Sequence, residues 1–199
     1  MKRIIVGISG ASGVELGLRF LSFLPKELEK YCVITQGAKD TITAENYKIE
    51  SIPSFSTTKD IAIPNLLESL QGIPNLVLFD DKNLSANIAS GSFICEAMAV
   101  IPCSQNTLAK ISYGICDSLL TRAASVMIKE NRKLLLAPRE MPFSPIVLEN
   151  MLKLSRLGVQ IAPPIFGYYA GKSLEEIERF LVGKWCDSLL IPFDYKRWG

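Results

Sequence analysis

The sequence predicts an α/β protein: a doubly wound, mostly parallel sheet in three layers. Three observations carry that reading. Short apolar runs recur between stretches in which apolar residues keep helical spacing. The first run ends in a Gly/Ser turn that opens onto an amphipathic stretch, the first half of a βαβ unit. Several later runs end in small or polar residues, the pattern of strands whose C-terminal ends border a ligand crevice.

Taken in order, Ile4, Ile5, Val6 and Ile8 read as a strand buried on both faces. The turn Gly7-Ile8-Ser9-Gly10-Ala11-Ser12-Gly13 follows, and then a helix over 14–24 stopped by Pro25. Residues 31–35 (YCVIT) form a second strand and 37–47 a second helix. Residues 48–74, broken by Pro53, Pro64 and Pro74, read as an irregular segment over the sheet edge. Further strands are expected at 76–79 (LVLF), 97–102 (AMAVIP) and 134–138 (LLLAP). Helices are expected from Ser104 as N-cap, over 117–129 with Asp117 as N-cap, and over 145–157 and 173–189. Residues 159–162 (VQIA) close the sheet.

A chain of 199 residues reads as one domain, 1–199, and can bury a full core. Hydrophobic residues make up 48% and the mean hydropathy is +0.23, so a sheet covered on both faces or a subunit interface must take up apolar surface. No window offers the roughly 18 uncharged apolar residues of a membrane span, and no secretory signal leads the chain. A net charge of +2 gives no case for nucleic acid. The five cysteines are odd in number and widely spaced, which points to reduced thiols in a cytoplasm. Histidine is absent, which excludes Ser-His-Asp and Cys-His catalysis and most zinc sites. Chemistry here must use carboxylates, Lys, Arg, Tyr, Ser, Cys or a cofactor.

The first turn places glycines at 7, 10 and 13, which is not G-x-G-x-x-G, and it carries no Walker lysine. Phosphate binding, with Ser9 and Ser12 adding hydroxyl donors, and plain tight-turn geometry explain it equally well. The strand ends at Gly10-Ala11-Ser12, Thr35, Ser104-Gln105-Asn106-Thr107 and Arg139-Glu140 come side by side in a parallel sheet. That crevice of hydroxyls, amides and one arginine suits a flat heteroaromatic ring carrying a ribityl or ribosyl phosphate. Arg139 needs an anion there, and Glu140 is either that partner or a proton donor and acceptor. Arg122 and Lys129, seven residues apart, share one helix face, which is otherwise simply a solvated basic face. Cys103 reads as a buried small residue, Asp80-Asp81 as a loop, and Trp198 as a packing residue on the fold or on a neighbouring subunit.

With those residues in view, the chain resembles the UbiX-type flavin prenyltransferases. The matching segments are GISGASG (7–13), ASGS (89–92), PCS..T (102–107), LLTRAASVMIKENR (119–132), PREMPF (138–143), ENMLKLSRLG (149–158), PP.FGYY (163–169) and the terminal RWG (197–199). The resemblance implies a Rossmann-like flavoprotein fold and a homododecamer. It implies an enzyme that joins reduced FMN to dimethylallyl phosphate, without a metal, through flavin N5 and C6. The product, prenylated FMN, serves a UbiD-type decarboxylase, with ubiquinone biosynthesis as the associated pathway. FMN contacts then map onto Gly10, Ala11, Ser12, Thr35, Ser104, Gln105, Asn106, Thr107 and Arg139. The allyl phosphate maps onto Lys129, Tyr169 and Lys184, with Arg122, Arg139 and Glu140 close by. Glu45 and Trp198 match other active-site positions.

In that reading Lys129, Arg122, Arg139 and Lys184 supply positive charge to a departing monophosphate and the Tyr169 hydroxyl donates to it. Trp198 offers a π-face to the allyl cation, and Glu140 or Glu45 moves protons. Some positions depart from the family pattern: Thr35 stands where serine is common, Ser125 where aspartate is frequent, and Lys184 where arginine often occurs. The last exchanges a planar fork for a point charge. Two rivals remain. An FMN-dependent cysteine-type decarboxylase shares a related fold but uses a histidine that this chain lacks. A flavin carrier without prenyl transfer has no use for a second anion site.

Overall fold

A computed structural model describes residues 2–45, 70 and 72–197. The elements run β1 (Arg3–Ile8), α1 (Val14–Phe23), β2 (Glu29–Ile34), α2 (Gln36–Ala44), β3 (Leu76–Asp80) and β4 (Ala97–Cys103). They continue with α3 (Gln105–Ser112), α4 (Leu119–Lys129), β5 (Lys133–Pro138), α5 (Pro145–Arg156), β6 (Gln160–Ile161) and α6 (Leu174–Leu189). Six strands form one sheet in the order β3-β2-β1-β4-β5-β6, and every pairing is parallel. The chain winds outward from β1 to β3 and then crosses back to β4. The point where the winding reverses therefore lies between β1 and β4.

Alternation along each strand builds the three layers. Ile4, Val6 and Ile8 face one side and pack with α1 and α6, while Ile5, Met98, Val100, Leu134 and Leu136 face the other and pack with α3, α4 and α5. Emptying one such fully buried Leu or Ile to Ala costs about 2–5 kcal/mol. On the first face Trp185 meets Phe20 edge-on at 6.1 Å and donates its indole N–H to the Ala162 carbonyl at 3.0 Å, so the ring is buried with its one polar atom satisfied.

Several bounds differ from those the sequence suggests, for local reasons. β2 begins at Glu29, which lies in register with Arg3 and pairs with its guanidinium at 2.9 Å. It ends before Thr35, whose hydroxyl accepts from the Ala38 amide as the N-cap of α2. α4 is capped by Ser118 in a capping box with Thr121, not by Asp117. Asp117 instead pairs with the Lys110 ammonium at 2.6 Å. The last strand is only two residues long and pairs with β5 alone. Tyr47 and nearly all of 48–74 lie outside the described residues. Among the described residues no helix is long and apolar enough to cross a membrane.

Candidate active site

The C-terminal ends of β1, β2, β4 and β5 border one cleft of about 700 Å³. Gly10, Ala11, Ser12, Thr35, Ser104, Gln105, Asn106, Thr107 and Arg139 all line it, joined by Glu140. Two helices open onto this space. Thr35 caps α2, and Ser104 caps α3 by accepting from the Thr107 amide at 3.2 Å. The first amides of each helix, at Gln36 and Gly37 and at Gln105 and Asn106, have no acceptor inside their own helix. They add a partial positive charge to the cleft wall. Gly10 is required by a close approach: a Cβ there would stand 2.6 Å from the Gly37 backbone carbon.

The loop after β1 is pinned from below. Ser9 is fully buried; its hydroxyl donates to the Pro102 carbonyl at 3.0 Å and accepts from the Ser104 amide at 2.8 Å. That corrects the expectation that Ser9 offers its hydroxyl to a ligand, because both partners are backbone groups of β4 and α3. Ser12 does face the cleft, and its hydroxyl donates to Glu45 Oε1 at 2.6 Å, which brings Glu45 to the rim.

Glu140 does not pair with Arg139; among the described residues no ion pair joins them. Its carboxylate accepts from the Gln105 side-chain amide and from the Met141 backbone amide at 3.1 Å. The Gln105 hydrogen bond, then the Met141 amide, then the charge of Arg139 hold Glu140 below the usual carboxylate range. It therefore stands ionised at neutral pH, an acceptor and not a donor. Burial pushes the Cys103 thiol up, which agrees with its reading as an inert core residue.

The cleft fits FMN in three respects. Its volume suits a ligand of that size, two helix N-termini turn their first amides toward it, and its walls offer hydroxyls and an arginine to a phosphate. Comparison with known proteins agrees. Residues 1–185 match the Flavoprotein family. A flavin prenyltransferase UbiX from Helicobacter pylori is 45% identical over 199 residues, covering 99% of this chain and 98% of that protein. The chain belongs to the UbiX-type flavin prenyltransferases.

Solved structures of that family share the fold. A crystal structure of the UbiX protein PadA1 in complex with FMN and dimethylallyl pyrophosphate superposes with a TM-score of 0.85 at 33% identity, covering 100% of this chain and 97% of that one. A dodecameric, FMN-dependent UbiX-like decarboxylase from Escherichia coli O157:H7 gives 0.81 at 35% identity, covering 99% and 98%.

The remaining site residues of this flavin prenyltransferase chain are dispersed. Ser118, Leu120 and Thr121 at the start of α4 line the cleft, whereas Lys129 ends that helix about 13 Å further along its axis. There Lys129 pairs with the Glu130 carboxylate against the loop that carries Gly91. Arg122 faces the same loop, donating to the Ala89 carbonyl at 3.3 Å, so the shared helix face is real. Neither Lys129 nor Arg122 is among the residues that line the cleft with Arg139. Tyr169 and Lys184 meet in a second cavity of about 530 Å³ with Phe180, Tyr195 and Arg197. Trp198 lies outside the described residues.

Seven cleft residues escape sequence reading: Gln36, Gly37, Asp81, Lys110, Ser118, Leu120 and Thr121. Asp81 accepts from the Leu119 and Leu120 amides through its carbonyl and its carboxylate, at 2.7 and 2.9 Å, and so caps α4 over 38 residues of intervening chain. Lys110 and Gln36 line the wall as well. Only a polar Asp-Asp pair after a predicted strand signalled any of this.

Proposed function

We propose that the cleft between β1 and β4 holds reduced FMN, and that the enzyme transfers the dimethylallyl group of dimethylallyl phosphate onto it to make prenylated FMN. The observation that carries the assignment is the cleft itself: the nine expected FMN contacts, together with Glu140, come from four separate strand ends and line one cavity at the reversal point of a parallel sheet. When bound, reduced FMN supplies N5 and C6 as the two carbon-accepting centres. Gly10, Ala11 and Ser12 bring backbone close to the ligand, the α2 and α3 amides and the hydroxyls of Thr35 and Ser104 receive its polar groups, and Arg139 offers a guanidinium.

A monophosphate leaves only if its developing charge is met. Tyr169 and Lys184 meet it from their own cavity, and Lys129 and Arg122 meet it from a neighbouring copy. Within one chain Lys129 stands too far from the cleft to serve it. Exposed apolar residues such as Met141 at 89%, Tyr168 at 90% and Ile165 at 75% mark surface suited to a second copy. The functional unit is thus a homo-oligomer, a dodecamer on the likeness to the Escherichia coli protein. Glu140, ionised and oriented by Gln105, accepts a proton during ring closure, with Glu45 as a second carboxylate at the rim. The product passes to a UbiD-type decarboxylase in the cytoplasm.

Incubation of the protein with reduced FMN and dimethylallyl phosphate tests the reading. A flavin heavier by one five-carbon unit is expected; a flavin returned unchanged would mark the protein as a carrier.

A further inference from the structure

The C-terminal segment carries a device that the cleft does not explain. Phe180, Gly183, Lys184 and Asp187 fall at spacings of three, four and seven on α6, so they form one stripe. Residues 191–197 run back along that stripe. The Tyr195 ring lies flat on Gly183, where no Cβ would fit, and meets Phe180 at 5.6 Å. The Tyr195 hydroxyl donates to Asp187 Oδ2. Arg197 closes the arrangement with a two-point ion pair, Nη2 to Oδ1 at 2.7 Å and Nη1 to Oδ2 at 2.8 Å. Nη1 also donates to the Tyr195 oxygen at 3.2 Å, and the guanidinium carbon stands 4.5 Å from the Tyr195 ring centre.

A guanidinium has two donor edges. Asp187 takes the end-on edge, Nη1 with Nη2, which leaves the side edge formed by Nε–H and the second Nη2 hydrogen. Arg197 lines the 530 Å³ cavity together with Lys184, Tyr169, Phe180 and Tyr195. That cavity offers two cations and aromatic walls, no carboxylate is among its described lining residues, and Asp187 beside it is paired with Arg197. Its chemistry fits a phosphate joined to a short apolar group. Lys184 contributes a point charge, whereas the side edge of Arg197 contributes a planar fork that matches two phosphate oxygens.

We propose that Arg197 is an anion-binding residue of this cavity and that Asp187 is the positioning residue that fixes its free edge toward the phosphate of the prenyl donor. The proposal rests on the reading of the Tyr169–Lys184 cavity as the allyl phosphate site. The clamp supplies the fork that lysine at position 184 does not.

Steady-state kinetics on the FMN-loaded enzyme, with dimethylallyl phosphate varied, test this through Asp187→Asn, Arg197→Lys, the two combined, and Lys184→Met. Loss of one charge-assisted bidentate contact raises KM for dimethylallyl phosphate by roughly tenfold or more. Arg197→Lys is expected to show that rise with a smaller change in kcat, because it keeps charge and stem but loses the fork. Asp187→Asn shows it too, and the combined variant is no worse than Arg197→Lys alone. FMN affinity stays at the wild-type value in all of them. An unchanged KM in Arg197→Lys and Asp187→Asn, alongside a raised KM in Lys184→Met, overturns the clamp and leaves the cavity assignment standing. An unchanged KM in Lys184→Met as well overturns the cavity assignment and the clamp with it. Lower thermal stability with wild-type KM reduces Asp187 to a structural tie and also overturns the proposal.

Discussion

The amide of Ser104 donates to the hydroxyl of Ser9 at 2.8 Å, joining the loop after β1 to the N-cap of α3. The same hydroxyl donates to the Pro102 carbonyl at 3.0 Å. One buried side chain thereby sets the distance between the two halves of the cleft at the point where the sheet reverses its winding.

Ser9→Ala is expected to leave the Ser104 amide without its buried acceptor. The cost is about 1–3 kcal/mol of stability, read from urea unfolding. FMN affinity should fall as well, since the α3 amides lose their fixed position. A variant with wild-type stability and wild-type FMN affinity would remove Ser9 from the account.

Gly10→Ala places a methyl group 2.6 Å from the Gly37 backbone carbon. The three nearest atoms all belong to the Gly37 main chain and cannot rotate aside, so the loop after β1 and the start of α2 must separate, at a cost of about 1–3 kcal/mol. FMN titration should show affinity lowered at least roughly tenfold, with the fold retained by circular dichroism.

Glu140 provides a test in pH. Its folded pKa is lowered, first by the Gln105 hydrogen bond, then by the Met141 amide and the charge of Arg139. Stability from such a group is present above its unfolded pKa and lost as pH falls through the lower folded value. Glu140→Gln should therefore flatten the acid limb of the stability profile slightly. It should also bind FMN normally while ring formation slows in rapid-mixing absorbance spectra. Weakened FMN binding with unimpaired turnover would make Glu140 a structural partner only.

The exposed apolar residues Met141, Ile165 and Tyr168 require cover. Light scattering should place the protein far above the 22.0 kDa of one chain. A monodisperse monomer at micromolar concentration would leave Met141, Ile165 and Tyr168 in water and Lys129 without a cleft to serve.

What was legible in the sequence follows from which interactions are local. The strands at 4–8 and 97–103 are apolar throughout and, Met98 apart, β-branched or small, so both buried faces show directly in the residues. Ser104 announces itself as a cap because its partner, Thr107, lies three residues on. Asp117 misleads for the matching reason: two candidate caps stand side by side, and Lys110, seven residues back, takes Asp117 away from the helix. Ser9 and Asp81 act through partners 95 and 39 residues distant, and no local pattern encodes such a bond. Residue spacing puts Arg122 and Lys129 on one face correctly. It cannot say that the face points away from the chain's own cleft, because that depends on which end of α4 meets the sheet edge.

The most direct test of the account is complementation between two inactive chains. Lys129→Ala alone should retain FMN and lose roughly two to three orders of magnitude in turnover, and Gly10→Ala alone should bind FMN at least roughly tenfold more weakly. Co-expressed with different tags, purified as mixed oligomers and assayed at an FMN concentration too low to fill the weakened Gly10→Ala cleft, the two should regain prenyl transfer, measured as the mass of the flavin after reaction with dimethylallyl phosphate. An intact cleft on one chain then receives an intact Lys129 from the other. Mixed oligomers that remain as inactive as their parents would contradict the composite site.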